Sequence, residues 1–467
     1  MPVALFPADP EEFAKLHFGG ARLSDPRRRR RVIKVAAAYA AHPGRSIPQL
    51  FPERSYERNA AYDLFKNPDA TPDHLQAGHR ELTREAIGRA DSPVLLIEDT
   101  TTLSWSGNAP VAGLGPISNS QSGLQGFDAH SVLAARWTDE SADQERRPPL
   151  ELLGLADQQY FVRIARHGRK VRGGEMGRLW RKAGERIGSA PAAARWIRIA
   201  DRGADILDFL ASCRTLGHGF IVRAAQDRVV VGASQRLFSM ARDLPELGRM
   251  ELSLRGRDGH PARSVILGFS ACRVDLRAPI QKGRKREGPL TCWALRVFEI
   301  APADPKQALE WILLSDEPVQ SAEQARSVAR RYACRWLIEE FHKALKSGFK
   351  AEKLQLESAE RLFAAVAIMS VTALRLIELR ELARREPECP AQHAGLSEIH
   401  LKVLAHKSGR ILTTVRDVVL ALGRMGGYAG PARHPRPGWL TLWRGWHDLD
   451  MIVQGVLLAK KLRRSQE

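Results

Sequence analysis

Three carboxylates and a short run of cations are the residues in this sequence with chemistry to offer. The segment YACRWLIEEFHKALKSG (332–348) carries Tyr332, Arg335, Glu339 and Lys346 at offsets that matter. At about 100° per residue, these four side chains fall on a helical stripe roughly 60° wide. Leu337, Ile338, Phe341, Ala344 and Leu345 project from the other side. The spacing predicts one amphipathic helix whose free face sets a lone carboxylate among two cations and a phenol. Such a carboxylate could hold a divalent metal beside a phosphate backbone if other acids join it.

Two other acids follow apolar strands. Asp99 closes VLLIED, and Asp201 closes WIRIAD. A sheet aims carboxylates at the ends of its core strands with little conformational freedom. Either one alone reads first as a capping or turn residue. With Glu339 they supply three hard oxygen donors from two strands and a helix, as a two-metal phosphoryl-transfer site needs. Glu98 points to the opposite strand face from Asp99. Glu340 sits about 100° around the helix from Glu339. These two, with Asp205 and Asp208, read as bystanders.

The elements that must position these residues are legible in outline. SPVLLIEDTTTLSW (92–105) is a continuous apolar run that suits a buried central strand. AHSVLAARW (129–137) alternates like a paired strand. ARWIRIADRGADILDFLASC (194–213) reads as strand, turn and helix, and GFIVRAA (219–225) as a strand. From about 226 to 310 the pattern is strand-like and turn-rich and includes the basic loop QKGRKREG (281–288). EWILLSDEPV (310–319) is a strand, SAERLFAAVAIMSVTALRLIELRELARR (358–385) contains a long buried helix, and 386–395 is a linker before a helical, basic end. Near the start, LSDPRRRRRVIKVAAAYAAHPG (23–44) predicts a helix capped by Ser24 or Asp25 with Pro26 in its first turn. SYERNAAYDLFKNP (55–68) predicts another, stopped at Asn67-Pro68. Arg27, Arg28, Arg30 and Arg31 form the most basic spot there. They read either as phosphate contacts or as a solvated charge run.

A chain of 467 residues exceeds one ordinary domain. At 44% hydrophobic and 27% charged residues it is globular, and its net charge of +19 favours a polyanionic partner, nucleic acid before membrane. The alternative is a soluble enzyme that is merely basic. The longest apolar run, LFAAVAIMSVTAL (362–374), reads as too short to span a bilayer, so no membrane is expected. The opening residues do not read as a signal peptide. Five scattered cysteines without a C-x-x-C pair argue against zinc or disulfides and fit a reducing cytoplasm.

With these residues assembled, the chain resembles the bacterial DDE cut-and-paste transposases of the IS-four class, close to the hairpin-forming Tn-five type. The Tyr-Arg-Glu-Lys signature of that family reads here as Tyr332, Arg335, Glu339 and Lys346. IEDTTTLSW resembles the segment with the first catalytic Asp, and DRGADI the segment with the second. DPRRRRRVIKVAAAYA, AAYDLFKNP and FIVRA extend the likeness, which is weakest at 140–190 and 226–305. One residue departs: Gly203 stands where the family usually has Glu.

The resemblance implies an α/β fold with an RNase-H-like, retroviral-integrase-like catalytic core at 73–385. Asp99 would lie on the first core strand and Asp201 beside the fourth, with an all-β insertion at about 226–310. It implies a helical DNA-binding domain at 1–72 and a C-terminal helical dimerisation domain at 386–467. Asp99, Asp201 and Glu339 would be catalytic and bind two Mg²⁺ ions, with Mn²⁺ able to substitute. Arg335 and Lys346 would position phosphates, and Tyr332 would bond a backbone oxygen. Arg223 resembles a further phosphate contact, with a structural salt bridge as the alternative. Trp311 resembles the position that stacks on a flipped-out base, with core packing as the alternative. The partners implied are double-stranded DNA, as transposon ends and target, and a second copy of the chain, in the bacterial cytoplasm at the nucleoid. The rival expectations are a non-catalytic DNA-binding derivative and a metal-dependent nuclease without strand transfer.

Overall fold

The computed structural model describes residues 5–106, 111–117, 124–138, 148–163, 173–254, 263–278, 288–430 and 436–464. Its first part is helical because caps and apolar spacing agree. α1 (Pro10–Phe18) starts at Asp9, whose carboxylate accepts the Glu11 and Glu12 N–H groups. α2 (Pro26–Ala41) starts at Asp25, not Ser24: Asp25 accepts the Arg27 N–H at 2.7 Å and Pro26 opens the first turn. α3 (Ile47–Leu50), α4 (Ser55–Lys66), α5 (Pro72–Leu75) and α6 (Ala77–Gly88) follow, α4 ending at Asn67 as its sequence predicts. Phe13, Val32, Tyr39 and Leu64 are buried in an apolar core continuous with that of the sheet.

Ten strands form one mixed sheet. They are β1 (Val94–Trp105), β2 (Gly115–Pro116), β3 (Gln125–Trp137), β4 (Leu150–Phe161) and β5 (Trp196–Ala200). After them come β6 (Gly219–Arg223), β7 (Gly248–Leu254), β8 (Arg263–Leu276), β9 (Leu290–Glu299) and β10 (Glu310–Ser315). The order is β2-β3-β1-β5-β6-β10-β9-β8-β7, with β4 also paired to β3. β1, β5 and β6 run parallel, and the remaining pairings are antiparallel. Val94 to Ile97 are buried, which explains why this strand reads as an unbroken apolar run. Helices α7 (Gly173–Ile187), α8 (Leu207–Thr215) and α9 (Leu237–Asp243) lie between strands.

Four expectations are corrected or extended. β4 and α7 were not anticipated: β4 buries Asp157, Gln158 and Gln159, and those polar residues blur its apolar pattern. The stretch expected as all-β at 226–310 also contains helix α9, and its strands extend the main sheet, because β9 pairs with β10 and carries β8 and β7. The basic loop at 281–288 lies outside the described residues up to 287. The single helix expected at 332–348 is three pieces. α10 (Ala322–Ala333) ends just after Tyr332, and α11 (Trp336–Lys343) begins after Arg335. A π turn over Ala344–Gly348 then carries Lys346. The links from Cys334 to Arg331 and from Arg335 to Tyr332 span three residues instead of four, so the chain tightens and the uniform helical phase is lost.

α12 (Ala359–Arg385) is longer than its 13-residue apolar run and is long and apolar enough to cross a membrane. Its most apolar window is 89% buried inside the fold, so core packing accounts for the hydropathy. α13 (Glu398–Ser408), α14 (Val415–Met425) and α15 (Trp439–Arg464) complete the chain around a smaller core that shares Leu376, Leu379 and Ala383 with α12. Asp450 of α15 bonds His42 Nδ1 at 2.8 Å and Arg45 at 3.0 Å, tying the two ends of the chain together.

Candidate functional site

Parallel pairing sets the geometry. β1 and β5 pair Leu95 with Ile197 and Ile97 with Ile199. Two residues further on, Asp99, still within β1 and paired to β3, and Asp201, just past the end of β5, are therefore level with each other where the parallel pairing stops. This is the carboxyl end of the parallel strands, where open α/β sheets bind their ligands. α11 packs against β1 and brings Glu339 to the same place. Arg335, at the start of α11, places Nη1 3.6 Å from Asp99 Oδ2 and donates through Nη2 to Glu339 Oε1. One guanidinium thus stands between two of the carboxylates.

The electrostatics show what the cluster lacks. Burial, and next the charge of Asp201, push the Asp99 carboxyl up to about 6. The Thr100 N–H, 2.7 Å from Asp99 Oδ1, and Arg335 oppose that rise. Asp201 is partly exposed, and its Oδ1 accepts the Gly203 N–H at 2.7 Å. A Cβ at position 203 would stand 3.0 Å from that oxygen, so glycine lets the backbone approach the carboxylate closely. Among the described residues, no three His, Cys, Asp or Glu side chains form a ready ligand cluster. The donor set nevertheless suits a hard divalent cation, because mutually repelling carboxylates with only one guanidinium between them are short of positive charge.

Tyr332 is buried at the end of α10 between Arg335 and Arg223. Burial raises its phenol pKa, and the two cations oppose the rise. Trp311 is partly buried and meets Tyr332 edge-on with ring centroids 5.4 Å apart. Arg223, at the end of β6, donates to the Glu310 carbonyl at 3.0 Å, and burial lowers its pKa. The charges of nearby Arg202 and Arg335 lower it further. Lys346 is partly exposed and makes no ion pair among the described residues. Its π turn is backed by Trp443, whose ring would stand 3.1 Å from a Cβ at Gly348.

Three of the four bystander acids are held by partners of their own. Glu98 is sealed against Arg198, which donates through Nε at 2.7 Å and again through Nη2. Glu340 is buried and pairs with Arg380. Asp205 is buried and accepts two backbone N–H groups and the Arg228 guanidinium. Asp208 lies in the first turn of α8.

A second basic surface lies on α2. Arg31 pairs with Glu57 and lies over the Tyr56 ring, and Arg28 reaches Asp69 at 3.7 Å. Arg27 and Arg30 are exposed and make no ion pair among the described residues. Residues 10–70 match the family model for transposase DNA-binding. The match supports a transposase that binds DNA, and a net charge of +19 agrees with it. Arg202, Thr100, His130 and His342 also stand at or behind the carboxylates and went unread in the sequence. Only the proximity of Arg202 to Asp201 was visible there; the others depend on cross-strand pairing and helix docking.

Proposed function

We propose that this chain is a DNA transposase of the DDE type, similar to the IS-four class and its Tn-five member, cutting and joining DNA at Asp99, Asp201 and Glu339. The observation that carries the reading is the meeting of Asp99 with Asp201 and, through Arg335, with Glu339, beside Tyr332, in a chain whose residues 10–70 match a transposase DNA-binding model. Asp99, Asp201 and Glu339 would hold two Mg²⁺ ions, or Mn²⁺ in their place. Bound there, the metal supplies Lewis-acid stabilisation of a phosphodiester and a more acidic attacking hydroxyl.

The protein's own side chains bind and orient. Arg335 exchanges its carboxylate partners for a phosphate, and Lys346 and Arg223 hold flanking phosphates. Tyr332 donates to a backbone oxygen. The Trp311 indole stacks on an extruded base; such stacking offsets about 1–3 kcal/mol of the cost of unpairing it. That extrusion lets a 3′-hydroxyl reach the opposite strand and close a hairpin. β4, β3, β1, β5 and β6 would form the RNase-H-like core, and the strands from β7 to β9 the insertion. The active form would be a dimer bridging two ends, supported by Met451, Leu458 and Leu462, which α15 leaves exposed. The setting would be the bacterial cytoplasm at the nucleoid.

The test is DNA bearing the inverted repeats that flank the coding sequence, incubated with Mg²⁺ and a target duplex. Wild-type protein should nick the repeat end, close a hairpin and give joined products. Asp99→Ala, Asp201→Ala and Glu339→Ala should bind ends normally and not cut. Binding without cutting by wild type would make the chain a non-catalytic DNA-binding protein, a reading favoured by Arg335 standing between Asp99 and Glu339. Cutting without joining would reduce it to a nuclease.

A further inference from the structure

Behind Asp99, on the opposite face of β1, four polar side chains line up between β5, β1 and β3. Arg198 of β5 binds Glu98 of β1 through two nitrogens. Glu98 Oε2 lies 3.4 Å from Nε2 of His130, on β3. Nδ1 of His130 lies 2.9 Å from the Thr100 hydroxyl, in the residue directly opposite across the β1–β3 ladder. Glu98 and His130 are fully buried, and Arg198 is 1% exposed.

With the imidazole proton on Nε2, the nitrogen beside Glu98, Nδ1 accepts and the Thr100 hydroxyl donates. The imidazole is packed edge-on against Trp180, at 4.6 Å between centroids, and Arg198 Nη2 also donates to the Trp180 carbonyl at 3.2 Å. The end of the chain is the Thr100 peptide, whose N–H donates to Asp99 Oδ1.

We propose that Thr100 and His130 are positioning residues for Asp99. The Arg198–Glu98–His130–Thr100 chain fixes the peptide that orients the Asp99 carboxylate for metal. This rests on Asp99 being a metal ligand, as proposed above. It adds a dependence on a part-buried hydroxyl and a buried imidazole that are not themselves proposed as metal ligands. Its logic is that of groups behind a ligand: they hold the ligand in the geometry that binds, and their loss weakens metal affinity about 10–100-fold.

Thr102 supplies the control. It lies two residues along the same face of β1 and also uses its hydroxyl, donating to buried Asp128 at 2.6 Å, but it is outside the chain to Asp99. Mn²⁺ binding to the DNA-free protein is measured by electron paramagnetic resonance, and the Mg²⁺ dependence of end nicking is measured beside it. Thr100→Val should weaken Mn²⁺ binding about tenfold and raise the Mg²⁺ needed for half-maximal nicking by the same factor. Thr100→Ser should restore both, and His130→Gln should behave like Thr100→Val. Thr102→Val should leave Mn²⁺ affinity at the wild-type value. Unchanged Mn²⁺ affinity in Thr100→Val, or an equal loss in Thr102→Val, overturns the inference while leaving the metal site standing. Wild-type protein that binds no Mn²⁺ overturns the metal site itself, and this inference with it.

Discussion

Asp99 and Glu98 are consecutive residues of one strand, and they live in opposite environments. Glu98 faces inward, carries two bonds from Arg198, and is held below the usual carboxylate range despite complete burial. Asp99 faces the open end of the sheet and shares Arg335 with Glu339. Burial and the charge of Asp201 push it upward. Glu340 and Glu339 repeat the contrast on α11: the first is sealed against Arg380, and the second is partly exposed on a shared guanidinium. A structural acid owns its partner, whereas these candidate working acids compete for one. Frustrated charge, more than acidity or burial alone, separates the two faces.

Four experiments would break or sharpen that contrast. The largest effect should come from Glu339→Ala, which should lower end cleavage about a thousandfold or more. Its stability and end binding should stay near wild type. Glu340→Ala should do the reverse, losing stability while its folded fraction still cuts; equal loss of cutting in both would mean the two faces are not distinct. Next, Glu98→Gln should cost roughly 3–5 kcal/mol in urea unfolding, because it strands a buried Arg198. A cost under about 1 kcal/mol, typical of an exposed pair, would erase the distinction.

The third effect is smaller and depends on pH. Asp99 has its folded pKa, about 6, above the ordinary carboxylate value. Its ionisation therefore costs stability, a cost absent below about pH 4 and complete above about pH 6. Asp99→Asn should raise the melting temperature of the metal-free protein by about 2 °C near pH 7.5 and by nothing near pH 4. A gain that grew toward low pH would mean the carboxylate is stabilised in the fold. The smallest effect concerns the cations of α2. Arg27→Ala or Arg30→Ala should reduce the salt dependence of end binding by about one unit of slope. Arg31→Ala, with Glu57 already as its partner, should reduce it by less.

The C-terminal part shows where a linear reading falls short. The resemblance implies a separable pairing unit at 386–467. In the fold, Trp443 backs the π turn carrying Lys346, and Asp450 anchors His42 and Arg45. Truncation there would open the core, so charge at exposed Leu458 or Leu462 is the sounder probe of pairing.

Sequence by itself determined what is local. Apolar continuity marked β1, β5, β6 and β10, caps and prolines marked α2 and α4, and Asp99 and Asp201 were recognisable as the acids that follow buried apolar runs, although β1 continues past Asp99 to Trp105. Strand alternation also separated Glu98 from Asp99 correctly, since adjacent side chains on a strand point to opposite faces. Tertiary structure decided what depends on register and docking. It broke the helix at Cys334–Arg335, so Tyr332 and Glu339 meet through packing and not through one helical phase. It joined β7, β8 and β9 to the main sheet and set His130 opposite Thr100. It also gave Arg335 to Asp99 and Glu339 at once, a competition between carboxylates in different elements that no local pattern encodes. The physical reason is range: caps and periodicity act over a few residues, whereas charge balance is settled among groups that only folding brings within a few ångströms.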